Sequence, residues 1–176
     1  MTGPLAMDDL IAGTGVAFRA LAASSFMDNV LRQARVIKEQ GMLFDAVSPD
    51  RKLPTVATRD IAAVAARLLL DTSWTGQEEV PLLGPEDLSY NDMAAVISEV
   101  LGTWVRYQQV PARAFKDQLT GFGMSDAMAQ SLLDMMIAKD CGLDDGIART
   151  PQHAIDTPTT FRQWCEDTLK PAVQAV

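Results

Sequence analysis

From Phe26 to Gln40 the apolar residues fall at 26, 27, 30, 31, 34 and 37, the spacing of one helix face, and Gly41 stops the run. Shorter apolar runs on either side read as strands. "VAFRAL" (16–21) suits a buried strand, "MLFDAV" (42–47) a second, and "EEVPLLG" (78–84) a third whose Pro81 suggests an edge or strand end. "WVRYQQV" (104–110) alternates like a half-exposed fourth. Helices alternate with them. "PLAMDDLIA" (4–12) has Pro4 near its first turn and Gly13 just past its end. "SPDRKLP" is a turn built from Pro and Asp. It leads into "TVATRDIAAVAARLLLD", with Thr58 placed to cap and Asp60 in the first turn. "SYNDMAAVISEVLG" carries a capping box, Ser89 with Asp92, and closes on Gly102. Three helices finish the chain: 111–119 behind Pro111, 126–140 capped by Ser125, and about 158–169 with Thr157 and Pro158 at its start.

The order α, β, α, β, α, β, α, β and then helices predicts an α/β fold whose sheet is at least partly parallel. With 176 residues, 48% of them hydrophobic, the chain suits a single domain over 1–176 with a substantial core. Its net charge of -8 is spread rather than blocked, which repels phosphate backbones and argues against nucleic acid. No apolar run approaches the roughly 18 residues of a membrane span, and "MTGPLAMDDL" does not read as a secretory signal. Cys141 and Cys165, with no CxxC, read as reduced thiols of a cytoplasmic protein.

Few residues offer chemistry directly. The glycines of "GTG" (13–15) follow a helix and precede a strand, the reverse of a dinucleotide-binding loop, and position 18 is Phe. His153, the only histidine, has Asp156 three residues on but lies in a polar loop, and there is no GxSxG elbow. One His and two distant Cys supply no metal-ligand spacing. A Tyr-x-x-x-Lys pair is missing, because Ala94 follows Tyr90 and Pro111 follows Tyr107 at that distance. Met124, Met128, Met135 and Met136 on one helix read as core or interface filling, or as a flexible wall for an apolar ligand. No catalytic residue can be named on these grounds.

"SSFMDNVL", followed by "LPTVATRDIAAVAARLLLD", "PLLGPEDLSYNDMAAVISEVLG", "VRYQQVP" and "PTTFRQWCED", resembles the NmrA-like family over roughly residues 5–170. These are atypical short-chain dehydrogenase relatives with an NAD(P)H-binding Rossmann half, and the likeness is to the family's C-terminal half. It implies a partial, truncated Rossmann-like α/β fold with a small parallel or mixed sheet and a helical C-terminal substrate lobe. In the family the segment like "SSFMDN" ends a parallel strand beside the nicotinamide. The resemblance therefore implies Ser25, Phe26 and Asn29 as cofactor-facing residues. It implies Phe26, Met27, Tyr107 and Gln109 as the wall for a small, aromatic or quinone-like ligand. The alternative is that Phe26 and Met27 are core and Asn29 caps a helix. The implied cofactor is NADP or NAD, or none in this chain, since the glycine loop lies in the other half. The implied function is that of an NAD(P)H-dependent oxidoreductase or its substrate-binding lobe. A non-catalytic ligand- or redox-sensing module is the alternative, and a structural partner completing another chain's sheet is a third. A homodimer through residues 4–40 is expected, because the implied sheet is left with an uncovered edge.

Overall fold

The computed structural model describes residues 2–146 and 148–176. Its first helix, α1 (Thr2–Gly13), leads to β1 (Phe18–Ala23), which lies parallel to β5 (Gln77–Leu82) from Phe18 opposite Gln77 to Ala23 opposite Leu82. At Ser24, whose N–H donates to the Leu82 carbonyl (3.0 Å), the chain changes partner. Ser25 and Phe26 form β2, parallel to the end of β4 (Leu53–Val56), whose start pairs antiparallel with β6 (Asp87–Leu88). A further pair, β3 (Met42–Asp45) and β7 (Arg106–Gln109), is also parallel. The fold is thus α/β with small parallel and mixed sheets. The carboxyl ends of β1, β2, β4 and β5 lie together at one end.

The run read as one helix over 26–40 is divided. Phe26 is extended, Met27–Gln33 is a tight 3-10 turn, and only Ala34–Gln40 is α-helical (α2), ending on Gly41 in the left-handed region. Two side chains account for the break. The Gln33 amide exchanges two hydrogen bonds with the Phe44 backbone, both at 2.8 Å, and so ties the turn to β3. The Asp28 carboxylate accepts from the Thr58 N–H (3.1 Å) and caps the next helix, α3 (Thr58–Leu70). Thr58, expected to cap, is instead the first helical residue, and the N-cap position belongs to Ala57. β4 occupies residues read as turn and helix start, and each of its four residues is buried.

The fourth helix, α4 (Tyr90–Leu101), carries the expected capping box between Ser89 and Asp92 and ends on Gly102. Helices α5 (Ala112–Gly121) and α6 (Asp126–Asp140, capped by Ser125) follow. A short α7 (Pro151–Asp156) stands where only loop was expected. The last helix begins at Phe161 rather than 158, because Thr157 is fully buried and accepts from the Gly84 N–H (3.0 Å). It runs as α8 (Phe161–Trp164), a π-helical segment (Cys165–Leu169) and α9 (Lys170–Ala175). One core gathers Met27, Val30, Ile37, Leu43, Ile97 and Trp164, and a smaller one holds Val56, Val64 and Leu82. Among the described residues no helix is long and apolar enough to cross a membrane.

Candidate functional site

Ligands of α/β proteins collect outside the carboxyl ends of parallel strands. At that end β2 runs straight into the 3-10 turn, and consecutive residues take opposite environments. Phe26 is 42% exposed, whereas Met27 is 1% exposed and sits in the main core. Asn29 is exposed, and its side chain makes no hydrogen bond among the described residues. Asp28 is committed to the Thr58 N–H. Ser25 is half-buried opposite Thr55. An aromatic face and an amide that both donates and accepts are therefore presented side by side. Met27 supports this face from behind and does not line it, because the turn directs residues 27 and 30 inward. Two hydroxyls at the same corner, Ser24 Oγ and Thr55 Oγ1, are buried without a partner among the described residues.

Tyr107 and Gln109 lie elsewhere. The Tyr107 hydroxyl donates to the Asp45 carbonyl (2.9 Å) and to the Val47 carbonyl, and its ring stacks on Tyr90 with centroids 4.7 Å apart. The Gln109 amide donates to the Ala46 carbonyl (2.9 Å). Both side chains brace the loop after β3, and Tyr107 lines a groove of which Phe26 is not part. Sequence spacing does not reveal the cluster around them, since the β3–β7 pairing brings Tyr107 to β3 and the start of α4 adds Tyr90. Burial raises the Asp45 carboxyl above the usual range, against the lowering pull of its hydrogen bonds from the Tyr90 hydroxyl and the Ala46 and Val47 amides. Burial, and then the Asp45 charge, push the Tyr90 and Tyr107 phenols up. Neither phenol is poised to release a proton.

A cavity of about 490 Å³ opens beside β4 and the end of β5, lined by Arg51, Lys52, Asp87, Asp144, Asp145 and Arg149. Its charges are largely spent on one another: Arg51 pairs with Asp145, Arg149 with Asp87, and Asp144 with Lys139. Among the described residues no group of three or more His, Cys, Asp or Glu is placed to hold a metal ion. The Cys165 thiol is buried and pushed up to about 12, so it stays protonated.

Residues 17–165 match the NmrA-like family. An NAD(P)H azoreductase of Xenophilus azovorans is 31% identical over 122 residues, 69% of this chain and 42% of that protein. Quinone oxidoreductase 2 of Escherichia coli (strain K12) is 28% identical over 167 residues, 90% of this chain and 57% of its own length. A solved structure of the triphenylmethane reductase of Citrobacter sp. has the same fold. Its TM-score is 0.75 at 20% identity, over 97% of this chain and 57% of that one. The chain spans about half the length of these relatives. With residues 17–165, most of its length, matched by the family model, the chain belongs to the NmrA-like family.

Proposed function

We propose that this chain is the substrate-side lobe of an NAD(P)H-dependent oxidoreductase, with Ser25, Phe26 and Asn29 facing the place where nicotinamide and acceptor meet. The acceptor is a small aromatic or quinone-like molecule. The observation that carries the reading is the Phe26–Met27 pair. The fold buries the thioether and leaves the aromatic ring presented at a strand's carboxyl end, beside the unengaged Asn29 amide. Family membership supports the cofactor class, and relatives named for azo and quinone reduction support a flat, electron-poor acceptor.

The residues present fit only the ring end of the dinucleotide. A pyrophosphate needs amides at a helix N-terminus behind a glycine loop. Gly13 and Gly15 instead close α1 ahead of β1. NADPH or NADH, once bound, would supply a hydride; this chain's part is to hold the acceptor against a flat wall and to offer the Asn29 amide to its carbonyl. A second reading, ligand sensing without turnover, is favoured by the two half-buried tyrosines, whose raised phenols are not suited to donate a proton.

Paired calorimetric titrations of the 176-residue chain test the reading. NADPH and NADH should bind more weakly than about 10 μM, or -7 kcal/mol. A soluble naphthoquinone should bind measurably and lose about fivefold or more on Phe26→Ala, the scale of one aromatic contact. Quinone affinity unchanged in Phe26→Ala would overturn the assignment of this face.

A further inference from the structure

The β2 strand is two residues long, with Ser25 opposite Thr55 and Phe26 opposite Val56. So short a ladder holds little by itself, and Phe26 stands at its open end. Beyond Phe26 the chain tightens to three residues per turn, so positions three apart fall on one side. Met27 and Val30 take the inner side and are buried in the main core. Phe26 and Asn29 take the outer side and are exposed. Asp28 bonds in a third direction. Its carboxylate accepts from the Thr58 N–H (3.1 Å). This side-chain link carries the β2–β4 pairing past the end of both strands, because 25 faces 55, 26 faces 56 and 28 reaches 58.

The far end of this link is fixed. The N-cap position of α3 belongs to Ala57, whose methyl group cannot cap, and Asp28 supplies the missing acceptor. The two residues after Thr58 anchor the helix start. Asp60 is buried and accepts from the Thr159 N–H (2.9 Å) and the Thr159 hydroxyl (2.8 Å). Arg59 donates to the Thr159 hydroxyl (3.1 Å) and pairs with Asp167 (3.0 Å). Thr58 is therefore a rigid point, and a carboxylate tied to it restrains the residues on either side of Asp28. We propose that Asp28 is a positioning residue for the candidate face: its bond to Thr58 holds the Phe26 ring and the Asn29 amide in the relative placement that a flat acceptor meets. The role rests on the reading of Ser25, Phe26 and Asn29 as the ligand-facing corner. Asp28 acts through these neighbours rather than on the ligand, and contributes affinity by sparing the cost of ordering them on binding.

Three variants separate the bond from the charge. Asp28→Ala removes the acceptor, whereas Asp28→Asn keeps an oxygen for the Thr58 N–H and removes only the charge. Thr58→Pro removes the donor at the first helical position, where proline is well tolerated. The readouts are amide order parameters of the isotope-labelled chain and its affinity for a soluble naphthoquinone. In the wild type the Phe26 and Asn29 amides should show rigid values of about 0.85, falling toward about 0.6 in Asp28→Ala. The Asn29 value should fall likewise in Thr58→Pro, and Asp28→Asn should restore most of it. Naphthoquinone binding should weaken about threefold or more in Asp28→Ala and Thr58→Pro, within the range of one lost N-cap, and recover in Asp28→Asn. Circular dichroism checks that each variant folds. A role confined to stability would lower the melting temperature of Asp28→Ala and leave both readouts unmoved, which would overturn the proposal. Equal losses in Asp28→Ala and Asp28→Asn would also overturn it, by tracing the effect to charge. Phe26→Ala distinguishes the two readings. If it binds more weakly while Asp28→Ala binds like the wild type, the positioning role alone fails. If Phe26→Ala binds unchanged, the assignment of the face fails, and the positioning role with it.

Discussion

A Cβ on Gly84 would stand 1.8 Å from the Thr55 carbonyl oxygen, and the residue's φ is +68°, a conformation that suits glycine. Neither partner can yield cheaply, because Thr55 is held in β4 and the Gly84 N–H is tied to Thr157. Gly84→Ala should therefore cost about 3 kcal/mol through strain and backbone shift, a fall in melting temperature of order 10 °C. A change within about 2 °C by calorimetry would mean that the β4–β5 junction relaxes freely. Asp45 allows a second test at this scale. Its carboxyl is raised by burial, so the folded state holds the proton more tightly than the unfolded chain. Its contribution to stability is therefore greatest below the ordinary carboxylate range, near pH 4, and declines as pH rises through the raised value. Urea denaturation over a pH series should show Asp45→Asn gaining on the wild type in that window. A difference independent of pH would place the ionisation cost elsewhere.

Elements were legible where their signals are local. The Ser89–Asp92 box and Gly102 sit within the helix they delimit, and α4 starts and stops as its sequence says. Ser89→Ala should cost about 1 kcal/mol, seen as a lower urea midpoint with unchanged slope. An unchanged midpoint would show the cap to be idle. Elements were illegible where the cause is distant. β2 and β6 are two residues each and exist only through pairing with β4. The 3-10 turn is set by Gln33 reaching β3 and Asp28 reaching α3, contacts that no helical spacing reveals. The candidate site divides the same way. Only the family resemblance pointed to Ser25, Phe26 and Asn29; a helical stripe makes Phe26 and Met27 equivalent, whereas the turn buries one and exposes the other. Tyr107 and Gln109 went to the loop after β3 because the β3–β7 register sets their carbonyl partners.

At the scale of the molecule, much apolar surface gathers near α1 and β1. Leu5, Met7, Leu10 and Val16 are exposed, and β1 has β5 as its single strand partner among the described residues. Such an edge is a template for pairing, and a second copy about a two-fold axis is the simplest cover. The proposal of a homodimer through residues 4–40 predicts a mass near twice the 19.1 kDa of one chain by light scattering at micromolar concentration. A stable single-chain mass with no hydrophobic dye binding would contradict it.

The role given to the corner after β2 can be read most directly from amide chemical shifts of the isotope-labelled chain titrated with a soluble naphthoquinone. Saturable shifts centred on Ser25, Phe26 and Asn29, and carried to Thr58 through its hydrogen bond to Asp28, are the expected result. Saturation with those four amides unmoved would contradict it, and so would shifts confined to other parts of the chain.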